Sequence, residues 1–300
     1  MITGSIGLLI AFAIGLYLRG DRDPVAQIAL KEKRLALVSE MRLSLAAASE
    51  AQNSAVMSTR EQDAKTFAGE ARSAAADLDR DHAELDQLLK GRANSHETEL
   101  MDRVGRTLSD FQQIHQQLMD LAIQNSNRKA FELAFGPAMK LLKQMDEALA
   151  RIVAEDKNVT SDDRLRVLQL VSDVRTGILS TQVLLLPHIA EATDVKMDEF
   201  EAELSKHDSK VRESLAALKG LLPEQSQSNL ETTTSMYAEF EQLKSQIIAL
   251  SRQNTDLKAV TIALKEKRQA MLACQDALIA LERAIRDEPI TSTIPAGRSK

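Results

Sequence analysis

There is no tryptophan in this chain of 300 residues, and only two tyrosines and seven phenylalanines. A core with so few rings must be filled mainly by Leu, Ala, Ile, Val and Met, which suits helix packing better than a pocketed enzyme. A single cysteine, Cys274, excludes an intrachain disulfide and a cysteine-rich metal site. Six prolines and eleven glycines are too few for the many turns of an all-β fold. A basic surplus is missing too: the net charge is −6, so there is no field to attract nucleic acid. His82, His96, His115, His188 and His207 have no partner histidine at helical spacing and read as surface residues, not metal ligands. No serine or cysteine has a readable base partner, and "GRANSHETE" lacks phosphate-loop spacing. No cofactor, metal or enzymatic activity is expected.

What the chain does contain is Ala, Leu, Glu, Lys, Gln and Arg, the composition of long helices. It opens differently. "ITGSIGLLIAFAIGLYL" runs uncharged from Ile2 to Leu18, just long enough to cross a hydrocarbon core. No Lys or Arg precedes it and charge follows it, which favours an uncleaved anchor over a signal peptide. Arg19, Arg22, Lys31, Lys33 and Arg34 follow the span, so the positive-inside rule leans towards a cytoplasmic body.

The rest repeats itself. "LVSEMR" from Leu37 falls on "LVSDVR" from Leu170, and "FAGEARSAAADLDRDHAELDQLL" from Phe67 falls on "FEAELSKHDSKVRESLAALKGLL" from Phe200. Phe111 then matches Phe240, and "LAIQNSNRKAFELAF" from Leu121 matches "LSRQNTDLKAVTIAL" from Leu250. The register holds through separate blocks, as an internal duplication requires. The expected plan is an anchor (1–20), a juxtamembrane segment (21–33), helical repeat 1 (34–156), a linker (157–164), helical repeat 2 (165–287) and a disordered tail (288–300).

Each repeat reads as a long helical arm, a polar loop and a returning arm. Apolar residues step by three, four or seven, as along Phe240, Leu243, Ile247, Leu250, Asn254, Leu257 and Leu264. Asn125-Ser126-Asn127 and Asn254-Thr255-Asp256 interrupt the returning arms with residues that prefer caps to helix interiors, and Pro137 and Pro187 should kink their helices. The predicted fold is therefore all-α: a transmembrane helix, then an elongated antiparallel bundle of stacked four-helix modules, roughly 80 Å long at about 1.5 Å per residue.

Phrases such as "NSAVMSTREQDAKTFAGEARSAAADLD" and "LSRQNTDLKAVTIALKEKRQAML", behind an anchor, resemble the extracytoplasmic four-helix-bundle sensor regions of methyl-accepting chemotaxis receptors. The doubled plan is most similar to their helical bimodular type. The resemblance implies a periplasmic body on the inner membrane, a homodimer, and a small organic ligand in one or both modules. It outweighs the short charged flank as a guide to orientation. Such receptors carry a second span and a cytoplasmic signalling coiled coil, and neither follows Asp287; a receptor fragment or a free-standing anchored bundle is expected.

Two matched pairs are candidate ligand residues. Arg42 and Arg175 lie beside the apolar stripe, where a guanidinium fork would hold a carboxylate. Asn125 and Asn254 fall on the seam, where Leu would be the more stabilising residue. Each pair also has a structural reading. Folding each repeat about its loop sets Arg42 level with Asp146 and Glu147, and Arg175 level with Gln275 and Asp276, as ion pairs. A seam asparagine can fix helix register. Lys129 and Lys258 should face solvent, and Cys274, matched by Met145, should be an inert core thiol. Two functions follow: a sensor of an organic acid or amine, in its second module if only one is active, or a structural subunit bound to another membrane protein.

Overall fold

The computed structural model describes residues 24–90, 93–155 and 161–290. All described elements are helical. They are α1 (Pro24–Met57), α2 (Glu61–Leu89), α3 (Ser95–Gln124), α4 (Ser126–Leu133), the wide turn π1 (Ala134–Ala138), α5 (Met139–Glu155), α6 (Ser161–Ala190), α7 (Asp194–Leu221), α8 (Glu224–Gln253), α9 (Thr255–Ile262), the wide turn π2 (Ala263–Lys267) and α10 (Arg268–Asp287). Among the described residues no helix is long and apolar enough to cross a membrane. The expected span, residues 1–20, lies outside them, as does nearly all of the expected disordered tail.

The order of elements repeats. A helical hairpin is followed by a third helix, a single asparagine, a short helix, a wide turn and a last helix, twice over. The first arm of each repeat is broken as well, at Ser58–Arg60 and at Glu191–Thr193. Neither break itself holds glycine or proline. Pro187 sits one turn before the second of these breaks.

Contacts divide the chain into two compact units that cut across the repeats: residues 1–123 with 261–300, and residues 124–260. In unit 1, α1, α2, α3 and α10 surround Val38, Met41, Leu78, Leu85, Phe111 and Cys274. Cross-helix bonds fix the directions. Arg72 reaches Asp120, and Gln112 bonds Asp79, so α3 runs antiparallel to α2. Arg34 bonds Glu97 at one end of α1 and Gln52 meets His115 near the other, so α3 runs parallel to α1. Arg42 with Glu282, and Lys267 with Asn53, set α10 antiparallel to α1.

Unit 2 repeats this arrangement with α6, α7 and α8, and α5 as the fourth member. Its core includes Met145, Leu149, Val174, Leu185, Phe240 and Ile247. The two repeats have thus exchanged their last helices: α5 of the first packs in unit 2, and α10 of the second packs in unit 1. This corrects the expected ion pairs. Arg42 does not meet Asp146 and Glu147, nor Arg175 Gln275 and Asp276. Arg42 pairs with Glu282 at 2.7 Å, and Arg175 with Asp146 at 2.6 Å. Folding each repeat back on itself gave the wrong partners because the returning arms leave their own hairpins at Asn125 and Asn254.

Several local devices hold the helices. Asn94 and Glu97 form a reciprocal capping box at α3: Glu97 N donates to Asn94 Oδ1 at 2.9 Å, and Asn94 N to Glu97 Oε2 at 3.3 Å. The remaining Glu97 oxygen accepts from Arg34 at 2.8 Å, with both residues buried. Cys274 is fully buried and burial pushes its thiol up to about 11, so it is inert as expected. The seam that should run from Phe240 to Leu264 stops at Asn254. Leu264 is exposed because π2 adds a residue to its turn and rotates the following face. π1 contains Pro137, whereas its counterpart π2 forms without a proline.

Candidate functional site

Asn125 and Asn254 are the only non-glycine residues with positive φ among those described, at 47° and 54°. A side chain in this region strains most residues, whereas asparagine tolerates it. That is why Leu would not improve these positions, contrary to the sequence expectation. Each asparagine ends one helix and lets the next begin, and the two new N-termini cap each other. Ser126 N donates to Thr255 Oγ1 at 2.9 Å, and Thr255 N to Ser126 Oγ at 3.0 Å. Arg128 N donates to Asp256 Oδ2 at 2.9 Å, and Asp256 N to Asn127 Oδ1 at 3.3 Å. The orphan amides of α4 and α9 are thereby satisfied by side chains of the opposite repeat.

The same layer closes the end of α6 by bonding its last carbonyls. Ser251 Oγ donates to His188 O, Asn127 Nδ2 to Ile189 O, and Asn254 Nδ2 to Glu191 O, at 2.8, 2.8 and 3.0 Å. Asn254 Oδ1 also accepts from Asn127 Nδ2 at 2.9 Å. Asn254 is therefore a buried polar tie between α4, α6 and α9, and both ends of its amide are engaged. Asn125, also buried, is the equivalent break in the first repeat. Lys258 is exposed, as expected, and Lys129 is half-buried.

His188 was expected at the surface and is fully buried. Its ring lies between Ser251 Oγ, 2.8 Å from Nδ1, and Glu201 Oε1, 3.0 Å from Nε2. This Ser-His-Glu array was missed because its members are far apart in sequence. It is a structural clasp: Ser251 is buried and its hydroxyl is committed to the backbone carbonyl of His188. Burial favours the protonated form of the Glu201 carboxyl, but Arg252 and His188 outweigh it and hold the carboxyl below its usual range. Arg252 extends the clasp to Asp198 on the next turn of α7. The matching positions of the first repeat are Ala55, Ala122, Ala68 and Ile123, so only unit 2 has this device. His115 is the other buried histidine. It meets Gln52, and burial lowers its pKa, aided by Arg72.

Arg175 stands apart from these satisfied groups. With Asp146 it flanks an open groove of about 650 Å³ between α5 and α6, floored by Leu142, Met145, Leu149 and Ile178. Phe135, Met139 and Leu179 form exposed apolar walls, and Lys140 and Lys143 add positive charge. The Arg175–Asp146 pair is itself largely exposed and therefore weak. Arg42 is held more tightly, against the better-covered Glu282, which also accepts from Arg286. A second groove in unit 2, about 620 Å³ between α7 and α8, carries balanced charge: Arg212 and Lys219 face Glu231 and Glu241. Of the four candidates, then, Arg175 borders a cavity, Arg42 is an ion-pair partner, and the asparagines belong to the polar layer.

Residues 157–284 match the family of four helix bundle sensory modules for signal transduction. No curated protein matches the chain. The sensory-module match takes in α6, α7, α8, α9 and α10, the second repeat, and includes Arg175 and Asn254 but not the α5 side of the groove.

Proposed function

We propose that this chain is a membrane-anchored sensory module that binds a small organic acid or amine in unit 2 and signals to a partner. The observation that carries the reading is the groove at Arg175: an apolar floor of small-molecule size with a cationic rim, whose α6 side lies in the segment that matches a sensory family. Ligand entry between α5 and α6 would shift one helix against the other, and α6 is clasped to α8 and α4 at its far end. The uncharged run at Ile2–Leu18 supports the anchor, and the family supports a periplasmic body. A thermal-shift screen of organic acids, amines and amino acids tests the reading. A true ligand at about 100 times its Kd should stabilise the protein by about 2.7 kcal/mol. An alkaline phosphatase fusion at the C-terminus tests the orientation: activity is expected, and inactivity would place the body in the cytoplasm.

One observation favours the structural alternative. Leu179, Val183 and Leu186 form an exposed apolar row on α6 at helical spacing, suited to another helix, and Leu165 and Leu168 are exposed nearer its start. A screen without a ligand, together with a stoichiometric membrane partner on purification, would replace the sensor reading with this one.

A further inference from the structure

The charge and shape of the α5–α6 groove narrow its ligand, given that the sensory reading holds. Three cations, Lys140, Lys143 and Arg175, border it against one anion, Asp146. An amine would enter a field of its own sign, whereas an acid would not. A dicarboxylate would have to keep its second charge at the rim with Lys140 or Lys143, and would leave the apolar floor of Leu142, Leu149 and Ile178 uncovered. The best complement has a single carboxylate and an apolar body.

The duplication supplies an internal comparison. Positions matching Met139, Lys143, Asp146 and Leu179 in the first-repeat/second-repeat register are Arg268, Leu272, Gln275 and Ala46. The arginine is present in both units, but the greasy wall at Met139 and Leu179 and the carboxylate at Asp146 belong to unit 2 alone. Asp146 Oδ1 lies 2.6 Å from Arg175 Nε, and its main-chain oxygen accepts from Nη2 at 3.3 Å. The Asp146 carboxylate is thus held where a ligand carboxylate would meet the guanidinium, and the exposed pair is easily parted.

We propose that the α5–α6 groove binds an amphiphilic monocarboxylate, whose carboxylate displaces Asp146 from Arg175 while its apolar body covers Leu142, Met145 and Ile178. Asp146 is then a built-in competitor that keeps the empty site closed on itself.

Isothermal titration calorimetry of the full chain with 3-phenylpropionate tests this, with 3-phenylpropan-1-ol, 3-phenylpropylamine and succinate as comparisons. The acid should bind at least tenfold more tightly than the alcohol, the amine or succinate. Arg175→Gln should weaken the acid at least tenfold, Arg175→Lys less, and Arg42→Gln not at all. Asp146→Asn should tighten it severalfold, since the competitor is gone. Circular dichroism of each variant confirms that the helices persist. Equal binding of acid and alcohol, or tighter binding of the amine or succinate, overturns the ligand class while leaving the sensor reading in place. Unchanged or weaker binding to Asp146→Asn overturns the competitor role. A chain that binds none of the four probes, yet is stabilised by another small molecule in the broader screen, overturns this inference alone. No ligand in either experiment overturns both.

Discussion

Asn254 combines a left-handed backbone with an amide that bonds Glu191 O and Asn127. The two roles can be separated by substitution. Asn254→Gly keeps the backbone at ease but removes the side-chain bonds to Glu191 O and Asn127 Nδ2, for an expected loss of about 1–3 kcal/mol. Asn254→Leu adds about 1–2 kcal/mol of left-handed strain to that loss. Urea denaturation should therefore rank wild type above Gly and Gly above Leu. Lys267 offers a second residue-scale test. It is buried against Ser49 O and Asn53 Oδ1, and burial pushes it down to about 8. An unfolded lysine titrates near 10.4, so between about pH 8 and pH 10.4 the unfolded chain holds more protons than the folded one. Stability should rise across that window, by roughly 3 kcal/mol from this group. Comparing denaturation midpoints of wild type and Lys267→Met at pH 7 and pH 10 isolates the effect. The difference should move in favour of wild type at the higher pH.

At the scale of helices, glycine separates packing from propensity. A Cβ on Gly177 would fall 2.4 Å from Val211 Cγ2, where α6 meets α7. Val211 is fully buried and its β-branched side chain has one good rotamer in a helix, so it cannot yield. Gly177→Ala should lose about 1–3 kcal/mol despite the better helix former. Gly69, in α2, has open space around it. Gly69→Ala should gain up to about 1 kcal/mol. Opposite shifts in melting temperature would bear out the pair. The helices themselves were largely legible in the sequence, because apolar spacing at Val38, Leu45, Phe240 and Ile247 marks buried faces directly. The cap residues at Asn125–Asn127 and Asn254–Asp256 announced their breaks. The turn at Ser58–Arg60 was not legible, since it lacks glycine and proline, whereas Pro187 marked the neighbourhood of the turn at Glu191–Thr193. The capping box at Asn94 and Glu97 was readable from its three-residue spacing and went unread. Of the candidate site, Arg175 was found by register against Arg42, but its true partner was not. A sequence shows which residues face a core, not which helix of two similar ones comes to face them.

On the scale of the whole chain, unit 2 is one uninterrupted segment, and unit 1 is assembled from two. Residues 124–260 hold four helical faces around their own core, including Phe240, Leu185 and Met145. Expressed alone, this segment should fold and melt cooperatively by circular dichroism. Residues 24–123 alone should not, because α10 supplies Cys274, Leu278 and Leu281 to their core. A non-cooperative, dye-binding 124–260 fragment would show that the exchange of last helices makes the units interdependent.

The mutual capping of Ser126 and Thr255 also bears on how the chain is made. A ribosome releases α1, α2 and α3 before unit 2, yet their fourth helix emerges only after it. Until then the nascent hairpins have an open apolar flank at Val38, Met41 and Phe111. Once unit 2 closes, Ser126 and Thr255 are held within hydrogen-bonding distance, and a gap of more than a hundred residues becomes a short one. The entropy of closing that loop is then already lost before α10 docks. Synthesis order therefore gives the later unit the first chance to finish, and the earlier unit completes itself on the ends that the later one has brought together.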